Sequence, residues 1–513
     1  MPSGLGRRPP VRGYHHGVRV AFIAAECEPW AKTGGLADVV DALARALGQV
    51  AGPGVRGSLD APIDVFLPRY RVVPVPPDAV SRAVRVPDPR SGTGRTTVRL
   101  LEAETHGYRL RLIDHPPAFD REGLYGDASG DYPDNAWRFG LFCRAALAVV
   151  RSDPSPPDVL HLHDWHAAPV ALLRDGLLRD DPAIAPASIV LTVHNLAYHG
   201  WTLAATVPDL GLGPGGLPPD ADGVDLLAAG IDAAELVNTV SPGFAAEART
   251  AAYGMGLDAR LRAKGERFLG ILNGLDTELW DPATDGALAA RYSRADRSGK
   301  ARTRAALLAE FGMDAASPAP LLSMIGRLDP QKGFDLLAEA APALLERGFR
   351  LAILGSGTAD HVRPLRRLAA ERADRVALVE RFDRDLARRF YGGADGFLMP
   401  SRFEPCGTGQ MIALRYGTPP IVRATGGLRD TVVDAPRHPR SGTGFWFEEA
   451  SADALVAACD RFLEWYAPGA RRWERLLDRG MAVDFDWRTS SAPAYLEAYR
   501  RATDLRAASR GAA

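Results

Sequence analysis

A lysine and a pair of glycines follow the first hydrophobic run of the chain. Residues 18–24 (VRVAFIA) are apolar enough for a buried strand, and residues 31–40 (AKTGGLADVV) lead into a stretch with helical spacing. Glycines such as Gly34 and Gly35 let backbone N–H groups approach a ligand closely, and the start of a helix favours negative charge. Lys32 adds a cation at the same place. The turn therefore predicts an anion site, although strand–Gly–Gly–helix turns also occur for packing alone.

Two further charged turns follow predicted strands in the second half of the chain. Residues 326–333 (GRLDPQKG) contain Arg327 and Lys332, which could face a diphosphate together, one as a planar fork and one as a point charge. Residues 401–410 (SRFEPCGTGQ) place Glu404 before a glycine-rich helix start. In that arrangement the carboxylate can accept hydrogen bonds from sugar hydroxyls, while the backbone N–H groups beside it hold a phosphate. Because open parallel sheets bind ligands at the carboxyl ends of their strands, both turns are predicted to be functional.

Histidine, aspartate and asparagine side chains follow two predicted strands of the first half. Residues 161–166 (HLHDWH) include Asp164, and residues 193–200 (VHNLAYHG) include His194 and Asn195. These residue types can bind a metal, but the helical His-x-x-x-His or paired-cysteine spacing of metal sites is absent. Polar groups at strand ends commonly serve sugars, so a metal site is disfavoured. The histidines of the first run have a second interpretation, as hydrogen-bonded scaffold.

The elements that must position these residues alternate between strand and helix. Residues 95–103 and 108–113 read instead as an antiparallel pair. Two successive runs of parallel α/β units predict an α/β protein with two doubly wound domains that face a deep cleft. The predicted strands are residues 63–67, 158–162, 188–193, 236–240 and 268–272, and then 321–325, 350–354, 376–379, 396–399 and 420–422.

The same rhythm predicts the domain bounds. Residues 1–17 lack a hydrophobic signal-peptide core and are expected to be a disordered tail. The N-terminal domain is predicted at residues 18–275 and the C-terminal domain at residues 276–485. Residues 486–505 are predicted to form a helix that crosses back to the N-terminal domain.

Composition limits the classes of function. The 513 residues carry 62 Lys plus Arg against 63 Asp plus Glu, so no global charge recruits nucleic acid or a membrane. No apolar run approaches the roughly 20 residues needed to span a bilayer. The four cysteines are scattered without paired spacing, which favours a reducing cytoplasm.

In their order, these motifs resemble those of bacterial glycogen synthases of the starch-synthase type, glycosyltransferase family 5. Members of that family have the GT-B fold, with two Rossmann-like domains. They are retaining glucosyltransferases that elongate α-1,4-glucan from a nucleotide-glucose, usually ADP-glucose, without a metal ion. The resemblance therefore implies ADP-glucose and an α-1,4-glucan (glycogen) primer as partners. It implies no cofactor, and the oligomeric state stays open.

The resemblance also implies roles for individual residues. Arg327 and Lys332 would neutralise the diphosphate leaving group, while Glu404 would bind a glucose hydroxyl. His194 would lie beside the anomeric carbon, where its backbone carbonyl would stabilise the positive charge of an oxocarbenium-like transition state. Asp164 would lie close to the reacting glucose. The remaining donor-binding residues would be Lys32, Gly34, Gly35, Tyr125, Asn195, Phe382, Cys406, Gly407 and Thr408.

Several positions depart from the family's motifs. The family usually has Leu-Thr after the Glu-Pro-Cys-Gly motif, whereas this chain has Thr408 and Gly409. Arg381 and Phe382 stand where a Gly-Tyr pair is usual, so the ring can still stack on a base while the arginine adds charge to the nucleotide pocket. These departures affect the choice of donor more than the class of reaction.

Two alternatives therefore remain. One is a GT-B glycosyltransferase that uses UDP-glucose or another donor or acceptor. The other is a catalytically inactive glucan-binding homologue, against which the joint presence of Lys32, Asp164, His194, Arg327, Lys332 and Glu404 argues. A nicotinamide oxidoreductase is disfavoured because no G-x-G-x-x-G follows the first strand.

Overall fold

The computed structural model describes residues 17–50, 59, 62–105, 107–213 and 222–511. The predicted tail at residues 1–17 lies outside the described residues except for Gly17. The chain forms two compact units. Unit 1 comprises the chain up to Thr192, residues Tyr198–Leu236 and the chain from Ala492, and unit 2 comprises Val193–Ala197 and Val237–Ser491. The domain bounds predicted from the sequence, 18–275 and 276–485, remain predictions.

Unit 1 is built on a twisted sheet with the strand order β9-β8-β1-β2-β5-β4-β3, in which β9, β8, β1, β2 and β5 are mutually parallel. Strands β4 and β5 pair antiparallel, as the sequence predicts, and β3 extends that ladder. Short hairpins join β6 to β7 and β10 to β11. The strands of unit 1 are β1 (Val20–Ile23), β2 (Ile63–Pro68), β3 (Val80–Pro87), β4 (Arg95–Glu104), β5 (Tyr108–Asp114), β6 (Gly126–Asp127), β7 (Gly130–Asp131), β8 (Val159–His163), β9 (Ser188–Val193), β10 (Trp201–Leu203) and β11 (Gly223–Asp225).

The helices of unit 1 cover this sheet through apolar stripes. In the first helix, Leu36, Val40, Leu43 and Leu47 are buried and recur at helical spacing, while Asp38 lies in the first turn, where the helix dipole favours a carboxylate. These helices are α1 (Gly35–Val50), α2 (Pro116–Phe119), α3 (Asn135–Arg151), α4 (Asp164–Ala167), α5 (Pro169–Asp175) and α6 (Leu226–Ala233), with a 3₁₀ segment at Ala204–Leu210.

Unit 2 contains an all-parallel sheet with the order β16-β15-β14-β17-β18-β19, and β12 pairs in parallel with β13. Both units thus have the doubly wound α/β character that the sequence predicts. The strands are β12 (Leu236–Thr239), β13 (Phe268–Gly270), β14 (Leu321–Arg327), β15 (Arg350–Ser356), β16 (Val376–Val379), β17 (Gly396–Met399), β18 (Pro420–Arg423) and β19 (Phe445–Phe447).

Helices on both faces bury the sheet of unit 2. Its aromatic core gathers around Phe462, which contacts Phe445 and Trp473 edge to face at 5.5 Å between ring centroids. The helices are α7 (Pro242–Ala248), α8 (Asp258–Lys264), α9 (Ser298–Glu310), α10 (Phe334–Glu346), α11 (Ala359–Glu371), α12 (Arg384–Gly393), α13 (Gly409–Arg415), α14 (Gly426–Thr431), α15 (Ala452–Trp465) and α16 (Arg471–Met481), with 3₁₀ turns at Gly265–Arg267 and Pro330–Lys332.

The last helix, α17 (Ala492–Gly511), follows a π-helical turn at Trp487–Ser491 and belongs to unit 1. Tyr499 lies within 2.9 Å of Nδ1 of His161 on β8, and the Arg506 guanidinium donates to Glu235 at 3.2 Å. Buried ring contacts and a charged anchor therefore hold this helix on its unit. Among the described residues, no helix is long and apolar enough to cross a membrane.

Candidate active site

A buried glutamate of unit 1 holds the predicted anion turn between β1 and α1. Glu26 is 4% exposed and accepts hydrogen bonds from the Thr33 N–H at 2.6 Å, the Thr33 hydroxyl at 2.6 Å and the Gly34 N–H at 3.1 Å. Two N–H groups of the turn therefore face a carboxylate of the same unit. Nothing in the sequence analysis singled out Glu26.

The two glycines of this turn have no packing role. A Cβ placed on Gly34 or on Gly35 would meet no other atom within 4 Å. The packing interpretation of the motif is thus disfavoured, because a side chain at either position would fit. The glycines instead leave the backbone surface open at the start of α1, as a ligand-facing turn requires.

Lys32 lies at the same turn and is partly exposed. Its Nζ forms ion pairs with Asp38 Oδ1 at 2.5 Å and with Glu28 Oε2 at 3.6 Å. Carboxylates of the same unit therefore surround the charge of this lysine.

Tyr125 is joined to the same carboxylate. Its hydroxyl donates to Glu26 Oε1 at 2.6 Å, and its ring stacks on His166 with 4.6 Å between centroids. Burial raises the pKa of Tyr125 well above its usual value, so the hydroxyl keeps its proton and acts as a donor. Tyr125 and the Lys32 turn are therefore positioned by one residue.

Asp164 begins α4 at the carboxyl end of β8. It is 7% exposed and has a φ of 56°, a left-handed conformation that residues with side chains rarely adopt. Strained residues of this kind gather at functional sites, so the backbone supports the assignment of Asp164 to a site.

The histidines around Asp164 have scaffold roles. His161 lies 2.6 Å from the Thr192 hydroxyl through Nε2 and 2.9 Å from the Tyr499 hydroxyl through Nδ1. Burial lowers the pKa of His166 to about 3, so it is neutral at physiological pH. The scaffold interpretation therefore describes both rings.

In unit 2, Lys332 and Glu404 form an ion pair at 2.6 Å. Glu404 is 5% exposed and also accepts a hydrogen bond from the Ser401 hydroxyl at 3.0 Å. The two residues are 72 positions apart in sequence, yet the ends of β14 and β17 bring them together. This is the central contact among the predicted site residues of the unit.

A tight turn fixes the lysine. Asp329 Oδ1 accepts the Lys332 N–H at 3.0 Å, and Gly333 follows with a φ of 79°. A Cβ on Gly333 would stand 2.2 Å from the Pro400 carbonyl oxygen. Only glycine lets this turn approach the end of β17 so closely.

Arg327 differs from Lys332 in exposure. Its side chain is 59% exposed, and its guanidinium contacts Gln331 Oε1 at 3.0 Å and Asp329 Oδ2 at 3.2 Å. Partners on its own turn hold this second cation at the surface. The unit thus presents one anchored cation and one exposed cation at the end of β14.

The segment after Glu404 contributes its backbone. Gly407 has a φ of 72°, and Gln410 Nε2 donates to the carbonyls of Cys406 and Gly407 at 3.0 Å each. Burial raises the pKa of the Cys406 thiol to about 12, which excludes a thiolate nucleophile at neutral pH. Thr408 precedes α13 and makes no side-chain capping bond.

A second glycine turn packs behind this segment. The Gly427 N–H donates to the Glu404 carbonyl at 3.1 Å, and a Cβ on Gly426 would stand 2.1 Å from that oxygen. Glu247 accepts the Gly426 N–H at 2.9 Å and the Thr425 hydroxyl at 3.1 Å. Glu247, like Glu26, has no local signal in the sequence that marks it as a partner of its turn. The sequence Thr-Gly-Gly-Leu occurs at residues 33–36 and again at 425–428, and this repeat is a signal that relates the two turns.

The remaining predicted residues lie at two places in unit 2. Burial lowers the pKa of His194 to about 3, and Asn195 Oδ1 accepts the Ala197 N–H at 2.9 Å. Phe382 is 84% exposed before α12, beside Arg381, which pairs with Asp383 at 2.9 Å. Within the described ranges, no group of three or more His, Cys, Asp or Glu side chains is arranged to hold a metal ion.

Two family models and several known proteins match this chain. Residues 19–263 match the family model of the starch synthase catalytic domain, and residues 313–475 match that of the glycosyl transferases group 1. A glycogen synthase from Syntrophotalea carbinolica is 40% identical over 95% of this chain and 99% of its own length. A glycogen synthase from Anaeromyxobacter sp. is 43% identical over 94% of this chain and 99% of its own length. The chain belongs to the glycogen synthase family.

The solved structures place this glycogen synthase family member in the GT-B fold class. The catalytic domain of starch synthase IV from Arabidopsis thaliana, bound to ADP and acarbose, has a TM-score of 0.84 and 34% identity, covering 95% of this chain and 100% of that one. A sucrose-phosphate synthase from Thermosynechococcus elongatus, with a TM-score of 0.58 and 19% identity, shares the fold. The predicted GT-B fold and the predicted glycosyltransferase class are confirmed.

Proposed function

We propose that the protein transfers glucose from ADP-glucose to the non-reducing end of an α-1,4-glucan, with retention of configuration and without a metal ion. The contact between Lys332 and Glu404 carries this proposal. In this proposal the cation stabilises the leaving group, and the buried carboxylate beside it binds sugar hydroxyls. The relatives named glycogen synthase and the ADP-bound starch synthase support the choice of donor and acceptor.

The chemistry follows from charge. As the bond between C1 of glucose and the diphosphate breaks, negative charge grows on the phosphate oxygens. Lys332 and Arg327 neutralise it, which is the kind of preorganised electrostatic stabilisation that contributes most to many enzymes. The Arg327 fork suits two oxygens at once. The acceptor 4-hydroxyl oxygen then bonds to C1 on the same face, and its proton passes to the departing phosphate.

Glu404 orients the donor sugar in this scheme. Its second oxygen is available to glucose hydroxyls, while Lys332 and Ser401 bind the first. His194 supports the positive character at C1 through its backbone carbonyl. Because its imidazole is neutral at physiological pH, it adds no opposing charge.

The unit 1 residues serve the same transfer under this proposal. Lys32 and Gly35 bind donor groups, Gly34 and Tyr125 border the donor while they donate to Glu26, and Asp164 acts close to the reacting glucose. We further propose a cytoplasmic location. All four cysteines are free and buried, which is the state that a reducing compartment maintains.

The test is incorporation of labelled glucose into glycogen, with ADP-glucose or UDP-glucose as donor and EDTA present throughout. Turnover with ADP-glucose is the expected result, and it shows that Arg381, Phe382 and Thr408 are compatible with this donor. Turnover only with UDP-glucose contradicts the donor and keeps the reaction. Glycogen binding without turnover from either donor contradicts catalysis and supports the inactive homologue.

A further inference from the structure

The hairpin of β10 and β11 in unit 1 exposes large apolar side chains. Trp201 is 61% exposed and Leu203 is 60% exposed, while Thr202 between them is 5% exposed. Alternate residues of a strand point to opposite faces, so Trp201 and Leu203 share the outer face. Tyr198, just before the hairpin, is 60% exposed. The proposed transfer does not use these residues.

The hairpin is firmly built. His199 Nδ1 lies 2.5 Å from Asp225 Oδ2, and Asp225 Oδ1 caps α6 by accepting the Ala228 N–H at 2.8 Å. The His199 carbonyl accepts the Leu227 N–H at 3.0 Å. Trp201 lies opposite Asp225 in the ladder. The exposed rings are thus carried by a segment with a fixed position on the unit.

Trp201 lies against a glycine. A Cβ on Gly223 would come within 2.9 Å of the indole Cε2 and 3.0 Å of Cζ2. The glycine lets the indole rest directly on the backbone of β11, and more than half of the side chain still faces solvent. Gly200 makes a matching approach to Trp165, whose Cε3 would lie 2.3 Å from a Cβ there. The indole is held in place on one side and presented on the other.

We infer that Trp201 is a stacking platform for glucose units of the α-glucan acceptor. The C–H face of a glucose ring packs on an aromatic ring and removes apolar surface from water on both sides. The flanking His199 and Asp225, with 25% and 18% of their side chains exposed, can contact the sugar hydroxyls.

The glucan is favoured over another occupant by the position of the platform within unit 1. Gly200, directly before Trp201, lies against the Trp165 ring, and Trp165 follows Asp164, which acts on the reacting glucose under the proposed function. A polymer that presents its end to the proposed site must also be bound along its length. This inference rests on the proposed function, since a glucan must be the acceptor.

The experiment measures binding and transfer separately. Migration of the protein in native gels that contain glycogen reports binding without donor, and initial rates give the KM for glycogen and for ADP-glucose. We expect Trp201→Ala to weaken glycogen binding roughly tenfold, the equivalent of about 1.4 kcal/mol, and to raise the KM for glycogen with little change in the KM for ADP-glucose. Trp201→Phe should restore most of the binding.

Leu203→Ala is the matched control, because Leu203 is equally exposed on the same face and has no ring. Normal glycogen binding by Trp201→Ala overturns the inference. Equal losses in Trp201→Ala and Leu203→Ala overturn it as well, since they indicate a general apolar contact. A change of oligomeric state in Trp201→Ala with unchanged glycogen binding would instead assign the face to a second copy. Trp201-dependent glycogen binding in a protein that transfers from no donor supports the platform and contradicts the proposed function.

Discussion

Glu26 and Glu247 bind the same tetrapeptide sequence in their respective units. Each carboxylate accepts the threonine hydroxyl and the N–H of the first glycine in a Thr-Gly-Gly-Leu turn. Both turns follow a strand and precede a helix. Internal carboxylates therefore stabilise the backbone donors of these turns before any ligand arrives. An anionic ligand must use the donors and cations that remain, such as the exposed Arg327.

Removal of the Glu26 carboxylate should destabilise unit 1. Glu26→Ala leaves the Thr33 and Gly34 N–H groups and the Tyr125 hydroxyl without their acceptor, at a cost of about 3 kcal/mol or more. Tyr125→Phe removes only one donor and should cost about 1 kcal/mol. Thermal unfolding followed by circular dichroism compares the two variants. Equal melting temperatures would show that Glu26 does not hold the turn.

Gly333 should not tolerate a side chain. Gly333→Ala combines a positive φ with a Cβ only 2.2 Å from the Pro400 oxygen, so we expect loss of transfer activity and a lower melting temperature. Gly348→Ala is the control, because Gly348 has a φ of 90° and no atom within 4 Å of the added Cβ. That variant should lose only about 1–2 kcal/mol and keep its activity. Similar behaviour of the two variants would contradict the close-approach argument.

Both cations at the end of β14 should be needed for turnover. We expect Lys332→Ala or Arg327→Ala to lower kcat by roughly 100-fold or more, because under the proposed function each removes charge that stabilises the leaving group. Arg363→Ala, which changes an exposed arginine on α11, should have normal rates. Initial rates with saturating ADP-glucose and glycogen decide the matter. Near-normal turnover in either site variant would contradict its assigned role.

The stability of Lys332→Ala separates structure from catalysis. This variant leaves Glu404 buried without its counter-charge, which destabilises proteins by about 3–5 kcal/mol. The double variant Lys332→Ala/Glu404→Gln should recover much of that stability, because the uncompensated charge is gone. It should remain inactive. Recovery of activity together with stability would show that Lys332 acts only as a structural partner.

His166 should make the protein sensitive to acid. The unfolded histidine binds a proton near pH 6.5, whereas the buried one does so only near pH 3, because burial and the nearby Arg138 oppose its charge. Between these values the unfolded chain holds more protons, so the free energy of unfolding falls as the pH falls, by up to about 1.4 kcal/mol per unit. Above pH 6.5 this effect is absent.

His166→Phe keeps a ring between Tyr125 and Trp165 and should reduce the acid-dependent loss. His194 has a shift of the same direction, so part of the loss should persist. Urea unfolding at pH 7.5 and pH 4.5 measures the difference, with the exposed His361→Gln as control. A pH dependence identical to that of the parent would contradict the assignment to His166.

Buried strands were predictable from sequence because short apolar runs bounded by turns leave few alternatives. The strands Ser188–Val193, Val376–Val379 and Gly396–Met399 have the predicted bounds. Strand β3 was missed because all but two of its residues are exposed, so it lacks the apolar run that marks the buried strands. Helix α16 was not predicted, although its buried residues Trp473, Leu476, Leu477, Gly480 and Met481 recur at helical spacing.

Individual residues of the candidate site could be singled out from the sequence, but the contacts between them could not. Lys332 and Glu404 stand in recognisable turns, yet an ion pair across 72 residues has no local signal. Glu26 lies seven residues before its turn and Glu247 lies 178 residues before its own. Only folding brings such partners together.

The assignment of α17 to unit 1 has a consequence for synthesis on the ribosome. Unit 2 consists of residues 237–491, which are translated without interruption, and of the short segment 193–197, which is translated earlier. Unit 1 begins first but lacks the Tyr499 and Arg506 contacts until Ala492–Gly511 has been translated. Since domains fold as units during translation, the first unit to be made is the second to be completed. A chain released after residue 491 would contain all of unit 2 but would lack the last helix of unit 1.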